Sequence, residues 1–188
     1  MKLLLHVCCA NCLAKTLPPL RDEFPAAEIH LWWFNPNIHP LIEYRRRLKA
    51  LRVYLERDPL PLTVVNDYGL ENFCAALNGD FSAPRRCAVC YQTRLQTAAE
   101  AADDFDFFAT TLMASREQSQ TLLRETGDRV AAATGKKFLY RDCRATEPAA
   151  KELNGIYRQT YCGCVFSEAD RYRHTSLHLY GGELKVKS

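Results

Sequence analysis

Long apolar runs are missing from this chain of 188 residues. No apolar stretch approaches the ~20 residues that a membrane-spanning helix needs. The leucines at residues 3–5 are interrupted by His6, so the apolar part of the amino terminus is too short for a secretory signal peptide. We therefore expect a cytoplasmic protein with no membrane partner.

Three other features are absent. The sequence contains no internal repeat, linker or low-complexity segment, so we expect one domain over residues 1–188. It lacks the G-x-G-x-x-G fingerprint of bound nicotinamide or flavin nucleotides. It also lacks a strong charge of one sign, because 25 Lys and Arg residues oppose 22 Asp and Glu residues, for a net charge of +3. Any surface for nucleic acid must therefore be local.

Cysteine, in contrast, is abundant, with nine residues. In a reducing cytosol they should not form a disulfide framework, and an odd number leaves at least one unpaired, so metal binding or redox chemistry explains them better. Cys74 and Cys143 stand alone, and we expect them to be small core residues that bind no metal. The other seven fall into three clusters, which are Cys8, Cys9 and Cys12, then Cys87 and Cys90, then Cys162 and Cys164.

The spacing within these clusters favours thiolate ligands. Cys87 and Cys90 are expected to open a helix, whose free backbone N–H groups stabilise thiolates, and Gly163 permits a tight turn between two cysteines. Thiolates bind soft metals and iron–sulfur clusters. Two alternatives stay open, a structural zinc site formed by the second and third clusters and a thioredoxin-like dithiol at Cys9 and Cys12. Seven sulfurs exceed the ligands of one centre, which suggests two adjacent centres or one cluster with an exchangeable site.

Alternating apolar runs and helical patterns predict an α/β fold with a doubly wound, mostly parallel sheet of about five strands flanked by helices. Pro18 and Pro19 should shorten or bend the first helix, and Ser115 should cap the fifth. In such sheets functional residues gather beyond the carboxyl ends of the strands. The predicted strands are residues 2–7, 28–34, 60–65, 105–110 and 137–140, and the predicted helices are residues 13–24, 41–57, 68–77, 87–102, 115–133 and a segment near 167–177.

Polar residues follow the predicted strands. Asn35 and Asn37 lie in a loop stiffened by two prolines, and could read the polar edge of a ligand or simply form a rigid turn. His39 in this loop is a better candidate for chemistry than His6, which sits in an apolar strand and is expected to be a core histidine. The segment before the third cysteine cluster offers groups for phosphate, base edges and stacking, as unpaired RNA requires, or it is a solvated loop.

The densest basic segment is the predicted helix 41–57. Arg45, Arg46, Lys49 and Arg52 occupy one broad face of it. Such a face could contact RNA phosphates or could simply be solvated, and charge alone does not separate the two.

Five blocks in this order resemble the cobalamin-independent epoxyqueuosine reductase family, QueH. The resemblance runs from residue 5 to residue 167. It rests on the segments Leu-His-Val-Cys-Cys-Ala-Asn-Cys at residues 5–12, Asn-Pro-Asn-Ile-His-Pro at 35–40 with Glu-Tyr at 43–44, Arg-Cys-Ala-Val-Cys-Tyr at 86–91 with Arg-Leu at 94–95, Thr-Thr-Leu at 110–112 with Ser115, and Tyr-Arg-Gln-Thr-Tyr-Cys-Gly-Cys at 157–164.

The resemblance implies reduction of epoxyqueuosine to queuosine at the wobble position of tRNA, a two-electron conversion of an epoxide to an alkene. It implies a [4Fe-4S] cluster beside a second metal, with iron expected, and a fold like that of the adenine-nucleotide α-hydrolases (HUP). The expected partners are tRNA bearing epoxyqueuosine and, since no nucleotide fingerprint is present, an electron-donor protein. Three positions depart from the family pattern: Asn11 replaces a usual proline, residues 143–147 replace a glycine-rich segment, and Cys12 stands where the family also uses Asp.

The candidate residues divide into three groups. The cluster and the adjacent metal would be held by Cys8, Cys9, Cys87, Cys90, Cys162 and Cys164, and the metal set adds Cys12. The catalytic candidates are His39, Tyr157 and Arg158. The candidates for contact with substrate or tRNA are Asn35, Asn37, Glu43, Tyr44, Arg45, Arg47, Lys49, Tyr91, Arg94, Thr110, Thr111, Ser115 and Gln159.

Overall fold

The computed structural model describes residues 1–174, and the predicted helix near 167–177 therefore lies partly outside the described residues. No helix in this part of the chain is long and apolar enough to cross a membrane. The strands are β1 (Lys2–His6), β2 (Glu28–Trp33), β3 (Leu62–Val64) and β4 (Phe107–Thr110). The α-helices are α1 (Ala10–Glu23), α2 (Leu41–Leu55), α3 (Leu70–Leu77), α4 (Ala83–Glu100), α5 (Gln120–Thr134), α6 (Ala150–Leu153) and α7 (Val165–Tyr172).

The four strands form one parallel sheet in the order β3-β2-β1-β4. The central strand β1 is apolar and buried, as the run Leu3, Leu4 and Leu5 requires in a strand covered on both faces. The chain winds outward from β1 through β2 to β3 and then crosses to the other side of β1 for β4. The predicted α/β fold class is confirmed, and the winding direction reverses between β1 and β4, where doubly wound sheets bind their ligands.

The predicted fifth strand is shorter than expected. Residues 137–140 contribute one isolated parallel bridge, between Phe108 and Phe138, beside β4. The ring of Phe138 packs over Gly127 of α5, where an added Cβ would lie 2.1 Å from it. The segment therefore packs against α5 as well as against β4, and the sheet itself has four strands.

Three helix starts differ from the sequence predictions. Helix α1 begins at Ala10, its N-cap is Cys9, and it continues through Pro18 and Pro19 to Glu23, so the prolines do not shorten it. Ser115 does not cap α5, because a 3-10 helix over Thr111–Ala114 comes first and Ser119 is the N-cap. Helix α4 begins at Ala83, four residues before Cys87.

Candidate metal centre

The first cysteine cluster lies directly beyond β1, at the switch point of the sheet. The sulfurs of Cys8, Cys9 and Cys12 all lie within 4.8 Å of one another, and all three residues are buried. Thiolates that share one metal ion at ~2.3 Å lie about 3.8 Å apart in a tetrahedral arrangement. Small shifts would therefore let all three sulfurs contact one ion.

Local hydrogen bonds shape this cluster. The Cys9 sulfur caps α1 by accepting from the Cys12 N–H at 3.3 Å. The Cys8 N–H donates to Thr111 Oγ1 at 3.0 Å, and the Thr111 hydroxyl donates back to the Cys8 sulfur at 3.3 Å. Hydrogen bonds from the Cys12 and Cys9 thiols lower the pKa of Cys8, while burial raises the pKa of Cys9 to about 12. These contacts favour the thiolate form of Cys8 over those of Cys9 and Cys12.

The other four clustered cysteines form a second group. Helix α4 carries Cys87 and Cys90, and the loop before α7 brings Cys162 and Cys164 beside them. Burial raises the pKa of Cys90 to about 12, and the neighbouring Cys162 and Cys164 charges add to the effect. Within residues 1–174, no three of these sulfurs approach one another as closely as those of the first cluster.

The predicted effect of a helix N-terminus on Cys87 and Cys90 is wrong. Because α4 starts at Ala83, Cys87 lies beyond the first four N–H groups of the helix, which are the ones left free. Desolvation dominates instead and raises the pKa of Cys87 as well as that of Cys90. Thiolates in this group therefore require a metal ion or a fixed positive charge as compensation.

The loop of the third cluster is held from behind by α2. Arg47 donates to the carbonyls of Cys162 at 2.9 Å and of Tyr161 at 3.0 Å. It also forms a buried ion pair with Glu43 at 2.6 Å, and the Tyr157 hydroxyl donates to the same carboxylate at 2.5 Å. Glu43, Arg47 and Tyr157, candidates for substrate contact or catalysis, thus form one network that positions this loop.

Gly163 and His39 complete the support of this loop. Gly163 has φ +143°, and a Cβ there would lie 3.1 Å from Arg47 Nη1. The His39 N–H donates to the Gly163 carbonyl at 2.7 Å, and the Tyr161 hydroxyl donates to the His39 carbonyl at 2.5 Å. The His39 ring is 1% exposed, and burial lowers its pKa to about 4.

A cavity of about 400 Å³ opens beside both cysteine groups. The Gln159 side-chain amide donates to the Cys9 sulfur at 2.8 Å, and the Gln118 amide donates to the Cys162 sulfur at 2.8 Å. The cavity is lined by Cys8, Asn11, Cys12, Lys15, Arg47, Leu112, Ala114, Ser115, Arg116, Glu117, Gln118, Glu147, Arg158, Gln159, Thr160, Tyr161 and Cys162. A second cavity of about 320 Å³ shares Glu117, Tyr161 and Cys162 with the first and is also lined by Cys87 and Cys164.

The structure places the sequence candidates in three different settings. Apart from the cysteines, four of them line the first cavity, namely Arg47, Ser115, Arg158 and Gln159. Two lie exposed on α2, namely Arg45 and Lys49. Others are buried and absent from the lining of both cavities, namely Asn35, Asn37, His39, Glu43, Tyr44, Tyr91, Arg94, Thr110 and Thr111.

Several of the buried candidates have partners in the scaffold. Asn35 donates to the Val7 carbonyl at 2.8 Å, and the Tyr91 hydroxyl accepts from the Ser119 N–H at 3.2 Å. His6 is fully buried and hydrogen-bonds Thr110 at 2.8 Å, so its prediction as a core histidine is confirmed.

The sequence reasoning missed several polar residues of the first cavity, among them Lys15, Arg116, Gln118 and Glu147. Lys15 on α1 and Arg116 after the 3-10 helix both pair with Glu147, at 3.4 and 3.6 Å. Gln118 contacts a cysteine directly. No local spacing marks these residues, because they come together only when α1, the loop after β4 and the segment near residue 147 meet. Position after β4, at the functional edge of the sheet, is the one signal that could have pointed to Arg116 and Gln118.

Comparison with known proteins is consistent across most of the chain. Residues 3–170 match the family described as epoxyqueuosine reductase QueH. Proteins of that name are 33% identical in Dehalococcoides mccartyi, covering 91% of this chain and 94% of that protein, and 31% identical in Thermotoga maritima, covering 89% and 91%. A solved predicted subunit of a tRNA methyltransferase from Methanocaldococcus jannaschii aligns with a TM-score of 0.46 and 12% identity, covering 82% of this chain and 73% of that one.

Proposed function

Because the chain belongs to the epoxyqueuosine reductase family QueH, an oxidoreductase family of tRNA queuosine biosynthesis, we propose that it reduces epoxyqueuosine to queuosine at the wobble position of tRNA. The reaction breaks both carbon–oxygen bonds of the epoxide, forms a carbon–carbon double bond and consumes two electrons and two protons, so that the oxygen leaves as water. The observation that carries the proposal is that residues of all three cysteine clusters line two adjoining cavities, Cys8, Cys12 and Cys162 the first and Cys87, Cys162 and Cys164 the second. We place the reaction in the cytoplasm.

The donor set fits a [4Fe-4S] cluster with an adjacent metal, which we propose to be iron. Seven sulfurs are enough for both, and the first cluster places three of them close enough to share one metal atom. In the second group the sulfurs lie farther apart, as cysteines bound to different irons of one cluster do. When bound, the centre would supply electrons singly and a Lewis acid for the epoxide oxygen.

The side chains that line the first cavity have two further roles, contact with the cysteine sulfurs and binding of phosphates. Gln118 and Gln159 donate to sulfurs, which favours the thiolate form and fixes the direction in which the sulfurs point. Lys15, Arg116 and Arg158 place positive charge along the cavity, where the phosphates of an anticodon loop would bind.

We assign Tyr157 a role in positioning the loop of the third cluster rather than in proton transfer. Its hydroxyl already donates to Glu43, and both burial and that carboxylate raise its pKa to about 12. A proton for the leaving oxygen therefore has to come from another group or from water in the cavity.

The electrons would come from a partner protein. The second cavity gives Cys87 and Cys164 a separate opening, next to Arg86 and Arg171. Substrate and electron donor could thus approach the cysteines from different sides, sharing the wall formed by Tyr161 and Cys162.

The test is anaerobic purification followed by iron and sulfide analysis and by turnover on tRNA carrying epoxyqueuosine. The wild type should be brown and should form queuosine. Cys87→Ser should lose iron and turnover, whereas Cys74→Ser, an isolated cysteine on α3, should keep both. A colourless zinc protein without turnover would instead support a different function, that of a zinc-stabilised RNA-binding module without redox catalysis. Full iron with full turnover in Cys87→Ser would remove the second group from the centre.

A further inference from the structure

Arg94 is a buried cation without a counter-charge of its own. Its residue is 3% exposed, and its Nε is buried without a hydrogen-bond partner. Within residues 1–174 no carboxylate forms an ion pair with it. An isolated buried charge is strongly unfavourable unless something of opposite sign compensates it.

The other buried arginine beside the cysteines shows the contrast. Arg47 is equally inaccessible, but Glu43 neutralises it at 2.6 Å. Arg86, which shares α4 with Arg94, pairs with Asp170. Arg94 alone of these three lacks an acidic partner in the described part of the chain.

The surroundings of Arg94 identify what its charge faces. Helix spacing places it four residues after Cys90 and seven after Cys87, on the same face of α4. The guanidinium lies within electrostatic range of both Cys90 and Cys162.

We propose that Arg94 is the counter-charge of the cysteine-bound centre and raises its reduction potential. This rests on the proposed iron–sulfur centre. Metal binding requires deprotonated thiolates, so loading the site increases the negative charge that Arg94 faces, and each added electron increases it further. A fixed positive charge in a low-dielectric site stabilises the more negative, reduced form. Arg94 is therefore a positioning and tuning residue rather than one that contacts substrate.

The experiment compares Arg94→Met, which keeps the length and apolar stem, with Arg94→Lys, which keeps the charge. In an anaerobic redox titration at the wild-type midpoint, Arg94→Met should lower the ratio of reduced to oxidised centre about tenfold, which is 59 mV for one electron. Arg94→Lys should change the ratio less than about threefold. Arg124→Met is the control, because that arginine is exposed on α5, lines neither cavity and faces Asp128, and its effect should also stay below about threefold.

A second measurement applies if Arg94→Met binds the metals poorly. Thermal midpoints are recorded with and without the metals, and Arg94→Met should lower the midpoint more in the loaded protein than in the metal-free protein. Loss of iron by a variant whose metal-free form melts like the wild type also supports the proposal. Equal losses in both forms, failure of the metal-free variant to fold, or an unchanged potential with full iron would overturn it.

Failure of the proposed function is recognised separately. Iron content and turnover of the wild type are measured first and test that function. If the wild type holds zinc, the proposed function fails there, and the thermal comparison still tests the counter-charge.

Discussion

Arg47→Met is the substitution that tests most directly how the third cysteine loop is held. Methionine keeps the length and the apolar stem of arginine but removes all its donors. The change leaves Glu43 as a buried carboxylate whose remaining partner is Tyr157, and it strips two carbonyls of the cysteine loop of their donors. Both charged side chains are almost fully buried, at 2% and 4% exposure, so water cannot replace the lost contacts.

Removal of one member of a buried ion pair costs about 3–5 kcal/mol. The unsatisfied carbonyls are part of the same defect, so we do not add a separate cost for them. For a chain of this size each kcal/mol shifts the melting temperature by about 2–4 °C, so a fall of roughly 6–20 °C is expected.

The assay is urea unfolding of the reduced, metal-free protein, which separates the fold from metal binding. Arg45→Met, two positions earlier on the exposed face of α2, is the control and should change the free energy of unfolding by no more than about 0.5 kcal/mol. Equal effects of the two substitutions would refute the supporting role of Arg47. A cycle with Glu43→Gln should show strong coupling, since the two side chains act as one unit.

Two further predictions concern pH and RNA. Burial lowers the pKa of His6 to about 4 against about 6.5 in the unfolded chain, so this group stabilises the fold fully above pH 6.5 and the contribution is lost as pH falls towards 4. The stability difference between wild type and His6→Asn should therefore shrink by about 2 kcal/mol between pH 7.5 and pH 5, and a constant difference would contradict the burial of a neutral ring. Arg45→Ala with Lys49→Ala should weaken tRNA binding and reduce its salt slope by about two, with iron content unchanged. An unchanged salt slope, or an equal effect of Arg124→Ala on α5, would show that the basic face of α2 is solvated and does not contact RNA.

The parts of the fold that sequence patterns predicted well are those in which one signal dominates. Strand β1 is centred on the apolar run Leu3 to Leu5 and was predicted within one residue of its end. Helix α2 begins at Leu41 as predicted, because Pro40 gives an unambiguous start. Ser115 failed as a cap because the 3-10 helix over Thr111–Ala114 ends there, with Ser115 as its C-cap, and Ser119 caps α5 instead.

The direction of individual side chains was harder to predict than the helices that carry them. Helix α2 has arginine at three consecutive positions, 45 to 47, and the helical spacing put Arg45 and Arg46 on the basic face with Lys49 and Arg52 but did not predict the partners of Arg47. In the structure Arg47 is turned inward on the same side as Glu43, while Arg45 and Arg46 stay in solvent. The helix phase follows from the burial of Leu51 and Tyr54 one and two turns later, but the carbonyls that receive Arg47 belong to residues more than a hundred positions away.

Residues that are far apart in sequence also come together to build the metal site. The first and third cysteine clusters are oriented by residues from remote segments: Thr111 contacts Cys8, Gln159 contacts Cys9, and Arg47 holds the backbone of Cys162. These pairs are separated by 103, 150 and 115 residues. In an unfolded chain the cysteines are therefore far from the groups that orient them. A metal site of this kind rarely exists before folding. The binding energy of the metals should consequently reinforce the closed arrangement of β1, α2 and the loop before α7, rather than any one segment alone.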